Sequence, residues 1–364
     1  MAMAAVKRCL VWALVIGALS APAQACNVPV FRYALERWPA APYQALVLHR
    51  GAMSDADQLA LKLLQTAQGF LEIQTVDLAQ PSDAATAPIR EKYGSVDKTW
   101  LVVRYPDGIR VEGEVVSAPL SVREVQLLLD SPARQAVVRR IIDGEAAVFV
   151  LLESGDRKKD DAAAALVETE LKRLEKTLEL PKPQQGQWDD PRYDKEGPPA
   201  LRLAFSVLRL SRGDAAEQRF IPMLLGGRPL ADIKGPALFP IFGRGRLLCA
   251  LPGERITKEE VSDIASFLIG PCSCVVKEQN PGVDLFFMVD WESVLAGQAS
   301  AIPAAPAPAL PSTAGLKQDF GSMVYVATFH NFFGFVDKIL FAVGLGVLVL
   351  VIVLVILRRR ARRN

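Results

Sequence analysis

From Ile339 to Leu357 the chain runs 19 residues without a charge or a strongly polar side chain. As a helix rising 1.5 Å per residue the run is about 28 Å long, close to the hydrocarbon thickness of a bilayer. It therefore reads as a transmembrane helix. Arg358, Arg359, Arg360, Arg362 and Arg363 follow at once. The positive-inside rule keeps this basic tail, 358–364, in the cytoplasm. Phe332, Phe333 and Phe335 stand just before the span, at interface depth. Ala342 and Gly346 form a small-xxx-small pair, which either supports helix association or is ordinary membrane-helix composition.

Residues 1–25 read as a secretory signal peptide. Lys7 and Arg8 supply the basic start, Cys9 to Leu19 the apolar stretch, and Ala23-Gln24-Ala25 the small-x-small cleavage site. Cleavage leaves Cys26 at the mature N-terminus. Ala23 and Gln24 fit a lipobox poorly, and acylation of Cys26 stays open. The two ends together predict a single-pass protein of a bacterial cell membrane, with its bulk outside the cytoplasm. They also account for much of the 51% apolar content and the mean hydropathy of +0.20. Charged residues at 23% exclude wholesale disorder, and 364 residues leave room for two domains.

The net charge of +2 is carried by the ends. Without Lys7, Arg8 and the five tail arginines, 35 basic residues (42 less 7) face 40 acidic ones. The exported part is acidic and has no basic block, so nucleic acid is excluded as a partner class. Pro303, Pro306, Pro308 and Pro311 mark a Pro/Ala stalk, assigned with the juxtamembrane segment to 296–334. Five prolines between Pro181 and Pro199 mark a long exposed loop, 181–200.

Between these punctuations the apolar period alternates between strand and helix type. Ala45 to Leu48 reads as a strand and Ser54 to Ala67 as a helix, with Ser54 as its cap and Asp57 at its third position. Leu71–Leu78 is a strand, Ile89–Tyr93 a short helix, and Thr99–Tyr105 a strand. Pro106-Asp107-Gly108 turns into a strand at Arg110–Val116, and Ser121–Leu129 is a helix stopped by Asp130-Ser131-Pro132. The order β-α-β-α-β-β-α then recurs. Its second copy has strands at Ala147–Leu152, Leu201–Leu210, Leu238–Phe242 and Leu247–Leu251, and helices at Asp161–Leu178, Ala215–Leu225 and Thr257–Ile269. Asn280-Pro281-Gly282 turns an added hairpin between Val275-Val276 and Leu285–Val289, which either packs on the second domain or is an exposed docking strand.

This order resembles the thioredoxin fold, most clearly over Lys98–Gly108 and again over Leu238–Leu251. The resemblance implies an α/β chain with two tandem thioredoxin-like domains, 43–140 and 145–295, after an N-terminal segment 26–42. The stretch Cys26-Asn27-Val28-Pro29-Val30-Phe31-Arg32-Tyr33-Ala34-Leu35-Glu36-Arg37-Trp38 also resembles the mature N-terminus of a group of bacterial membrane-anchored exported proteins, and implies no activity.

A thioredoxin-type enzyme needs Cys-x-x-Cys at the start of the first helix, where the helix dipole lowers the thiol pKa. The matching stretches, His49–Asp55 and Glu153–Asp160, contain no cysteine. Pro236 loosely matches the proline that packs beside the disulfide in that family; nothing matches it before Thr99. The reading therefore leans away from an enzyme.

Cys26, Cys249, Cys272 and Cys274 survive cleavage and are the candidate redox, metal or disulfide residues. Cys272-Ser273-Cys274 suits thiol exchange or a soft metal such as Cu(I). In the structural reading, one or both pair with Cys26 or Cys249 and tie the N-terminal segment to the second domain. Cys249 falls in a predicted strand, as a buried thiol. Two histidines, His49 and His330, exclude a multi-histidine zinc site within one chain. His49 is either a strand-end residue or the base of a hydrolase with Ser54 and Asp55. Asp160-Asp161 reads as helix N-terminal charge, Asp189-Asp190 lies in the polar loop, and Gly243-Arg244-Gly245-Arg246 reads as a hairpin turn.

The sequence thus predicts a non-enzymatic binding or scaffold protein without cofactor. By the resemblance, its partner is another envelope protein, a transporter complex among the candidates. The alternative is a thiol-redox or copper-handling protein working through Cys272 and Cys274.

Overall fold

The computed structural model describes residues 28–296 except 83, 85, 107–110, 112, 182–201, 272–276 and 278–279. The signal peptide, the long polar loop, the stalk, the transmembrane run and the basic tail lie outside the described residues. So do Cys26, Cys272, Cys274, His330 and Asp189-Asp190.

The chain is mixed α/β with two sheets. Helix α1 (Val30–Arg37) precedes strand β1 (Tyr43–His49), and α2 (Asp55–Gln65), β2 (Leu71–Asp77), α3 (Ala87–Tyr93), β3 (Trp100–Arg104), β4 (Glu114–Pro119) and α4 (Val122–Leu129) follow. Then come α5 (Pro132–Ile142), β5 (Ala147–Glu153), α6 (Arg157–Thr177), β6 (Phe205–Ser211), α7 (Phe220–Leu225) and β7 (Ala237–Phe242). Short strands β8 (Arg246–Leu247) and β9 (Leu251–Pro252), helix α8 (Lys258–Ile269), β10 (Val283–Asp284) and α9 (Trp291–Leu295) complete the described chain.

The first sheet has the order β2-β1-β3-β4, with β1 parallel to β2 and β3 antiparallel to both neighbours. The second repeats it: β6-β5-β7-β8-β10, with β5 parallel to β6, β7 antiparallel to β5, and β9 also on β7. The recurrence expected from the sequence is thus present as a recurrence of strand order.

Period-2 alternation sends side chains to opposite faces of each sheet. Tyr43, Ala45 and Val47 of β1, Leu101 and Val103 of β3, Val148, Val150 and Leu152 of β5, and Ala237, Phe239 and Ile241 of β7 share one buried cluster with α2, α4, α5 and α7. A single core therefore joins the two sheets. Phe149, Leu151, Leu238 and Phe242 face the other way, onto α1, α6 and α8. Leu46, Leu48 and Val102 face out onto α3.

Several elements differ from expectation. Pro132 does not simply stop a helix. It is the first residue of α5, capped by Ser131, whose side chain accepts from the Arg134 N–H. Proline suits that position because the first helical N–H has no intrahelical acceptor. Strand β4 lies four residues later than predicted, at 114–119. The predicted helix 215–225 is a 3-10 turn, Ala215–Glu217, and then α7. The partner strand 247–251 is broken into β8 and β9, and Leu285–Val289 is buried irregular chain, with β10 just before it. Helix α1 packs with the second sheet and α8, although it precedes the first strand.

Candidate functional site

In α/β sheets of this kind ligands and catalytic groups gather beyond the C-terminal ends of the parallel strands. In the first half that end is His49 to Asp57. The Ser54 hydroxyl accepts from the Asp57 N–H at 3.2 Å and donates to Asp57 Oδ2 at 2.8 Å, and the Ser54 N–H donates back to Oδ2 at 3.4 Å, closing a capping box on α2. Thr99, just before β3, donates its hydroxyl to the same carboxylate oxygen at 2.9 Å. His49 Nδ1 lies 2.7 Å from the Gly51 carbonyl, to which it donates. Ser54 is therefore a helix cap and, among the described residues, hydrogen-bonds no histidine. The hydrolase constellation of His49, Ser54 and Asp55 is not assembled.

Arg50 bridges what remains of this edge. Its Nε donates to Val96 O at 3.0 Å, Nη1 to Leu78 O at 3.5 Å, and Nη2 to Gly94 O. Asp77 accepts from the Gly51 N–H at 3.0 Å and the Ala79 N–H at 2.9 Å. Those two backbone donors hold its carboxyl below the usual carboxylate range.

The second half closes the same edge with different residues. Asp160, buried at 2% exposure, accepts from the Ser154 N–H and hydroxyl at 2.7 Å each and from the Gly155 N–H at 3.0 Å. Asp156, not Asp161, caps α6, so the helix starts four residues earlier than expected. The Asp160-Asp161 pair divides its work: Asp160 ties down the loop, and Asp161 accepts from Arg209 at 2.7 Å. Arg212 donates to Glu153 O at 2.6 Å and to Ile233 O and Gly235 O at 3.0 Å each. One arginine per half thus bridges three backbone carbonyls at this edge of its sheet. Pro236 precedes β7 in a trans peptide, and its carbonyl accepts from the Gly253 N–H at 2.7 Å.

Cys249 is a free thiol between β8 and β9, not within a strand, and is 6% exposed. Burial pushes its pKa up to about 12. A thiol held protonated at neutral pH is a poor nucleophile. Among the described residues no group of three His, Cys, Asp or Glu is placed to hold a metal ion.

The Gly-Arg-Gly-Arg turn does more than reverse the chain. Arg244 Nε and Nη2 donate to Leu35 O at 2.7 Å and Glu36 O at 3.0 Å, at the end of α1, and Nη1 pairs with Glu292 of α9 at 2.7 Å. Arg246 donates to Asp284 Oδ1 at 2.8 Å and lies over the Trp38 ring, 5.6 Å from its centroid. Asp284 also takes the Lys277 ammonium at 2.7 Å and the Ala41 N–H at 2.9 Å. The Tyr43 hydroxyl donates to Asp284 O at 3.0 Å. Both arginines are under 9% exposed, and the Arg246–Asp284 pair is shielded from water, whereas Glu292 reaches Arg244 from the exposed side. The sequence showed the arginines, but only the fold brings Leu35, Asp284 and Glu292 to them.

The N-terminal strap also meets the second half at Pro29, which forms an antiparallel bridge with Pro271, and the Val30 N–H donates to Gly270 O at 3.0 Å. No protein-family model matches the chain, and no curated protein matches it.

Proposed function

We propose that this chain is an exported, single-pass membrane protein that binds another envelope protein and is not an enzyme. Its body is read as two thioredoxin-like units without catalytic thiols. The repeated strand order, with one antiparallel central strand in each sheet, supports that reading. The observation that carries the function is the closure of both sheet edges by Arg50 and Arg212, with helix caps in place of thiols.

The base pole around Arg244, Arg246 and Asp284 gathers the starts of β1 and β5 and the last described helix, α9. In this reading the stalk leaves there, toward the membrane. The far ends of β1 and β5 lie about 20 Å along the strands. Helix α2 begins at that far end and carries Leu59, a large apolar side chain that is 59% exposed. This end is the docking face in the proposal.

We assign the cysteines to the staple reading: in the sequence Cys26 precedes Pro29 by three residues, Cys272 and Cys274 follow Pro271 by one and three, and Pro29 and Pro271 are bridged. In the proposal Cys26 pairs with Cys272 or Cys274. Two thiols form one S–S bond, and two electrons and two protons pass to a disulfide donor of the exported compartment.

The test is a photocrosslinking residue at position 59 of the full chain in its membrane, beside one at exposed Ala40, at the base pole, as control. The expected result is one discrete envelope-protein adduct at 59 and none at 40. No adduct at 59, together with turnover in a protein-disulfide reduction assay, would reverse the assignment.

A further inference from the structure

Where the two halves meet, the end of α4 abuts the start of α5. Arg134, buried at 1% exposure, donates from Nη1 to Leu128 O at 2.6 Å and from Nη2 to Leu127 O at 2.7 Å, which caps α4. Its Nε donates to Ser131 Oγ at 3.1 Å. The start of α5 is held from the other half of the molecule. Glu217 Oε1, on the 3-10 turn 215–217, accepts the Ala133 N–H at 2.8 Å. Glu217 is 1% exposed, and its second oxygen, Oε2, is buried with no hydrogen bond of normal geometry. Arg134 and Glu217 form no ion pair with each other among the described contacts.

A buried carboxylate with one oxygen unsatisfied is costly when ionised and much less so when protonated. We propose that Glu217 is a proton-linked latch between the two halves: protonated it closes the joint, and ionised it loosens it. The groups around it are known. Burial pushes its pKa up and Asp214 adds to the rise, while the Ser131 hydroxyl, the Ala133 N–H and the Arg134 charge pull it down; the net direction is up. Asp130 is engaged by the Ser131 N–H at 2.8 Å and by Gln135, and Arg219 by Glu124 of α4 at 2.9 Å, so each of these charges already has a partner.

A carboxyl whose folded pKa lies above its unfolded value adds stability that is complete below the unfolded pKa. That stability is lost as pH rises through the folded one. The experiment is amide hydrogen exchange on the full chain in detergent, with the Ala133 amide corrected for intrinsic rate. Ala133 protection should fall several-fold between pH 4 and pH 7.5 in the wild type. In Glu217→Gln, which mimics the protonated acid, it should stay flat at the acid level. The Glu124 amide, capped by Ser121 at 3.2 Å, is the control and should not follow the Ala133 profile. If Glu217→Gln does not fold, the wild-type profile of Ala133 against Glu124 still decides. Parallel profiles for wild type and variant, or Ala133 protection that rises with pH, would overturn the latch.

Discussion

Cys249 and Asp160 show how burial decides what a reactive residue type does. The Cys249 thiol is shut off from solvent and from the thiolate state, so native chain should take up no alkylating reagent there at pH 8. Labelling should appear only on unfolding, read by peptide mass spectrometry; rapid native labelling would contradict the packing. Asp160 spends both carboxylate oxygens on the loop after β5. Asp160→Asn keeps the shape but presents a donor where an N–H points. It should cost about 1–3 kcal/mol in a urea titration. The burial of Cys249 was legible in its apolar surroundings; the role of Asp160 was not legible from residue type, since Asp160 and Asp161 read alike as helix N-terminal charge. The loop that folds Ser154 and Gly155 back onto one of them separates their roles.

At the scale of elements, much was legible where apolar period and cap agreed. Strand β1 and helix α2 with its Ser54 cap came from local pattern, because neighbouring residues satisfy the cap. Helix α5 was missed for a local reason: Ser131-Pro132 is both a stop and a start signal, and the apolar set Ala133, Val137, Val138 and Ile141 at helical spacing was the signal that distinguished them. The role of the Gly-Arg-Gly-Arg turn was missed for a non-local one, since its partners are up to 209 residues away. Both its glycines are constrained. Gly245 has φ +91°, and a Cβ there would lie 2.3 Å from the Phe287 ring. Gly245→Ala should therefore lower the thermal midpoint by several degrees, a loss of about 1–3 kcal/mol. The same pole should be acid-sensitive. Burial alone would push Asp284 up, but Arg246, Lys277 and the Ala41 N–H more than offset this and hold it below the usual carboxylate range. A lowered folded pKa adds stability above the unfolded value, and that stability is lost as pH falls through the folded one. Fluorescence of Trp38 and Trp291 at this pole should report loosening below about pH 4. Asp284→Asn, which leaves Arg246 buried without its counter-charge, should loosen it by about 3–5 kcal/mol already at pH 7.

For the whole molecule, the repeat of one strand order was visible in sequence as a repeat of periodicities. The sharing of one core between the two sheets was not, because nothing local tells Val47 and Val150 that they bury into the same cluster. The account of function rests on an exported body tied at one pole and closed at both sheet edges. Its most direct test is a thiol map of full-length chain taken from the oxidising side of the membrane, by mass spectrometry with and without reduction. The account predicts Cys26 joined to Cys272 or Cys274 in a bond that resists mild reductant, with no exchanging pair. Cys272 and Cys274 found free, metal-loaded or rapidly exchanging would contradict it and make the chain a thiol-redox or copper-handling protein.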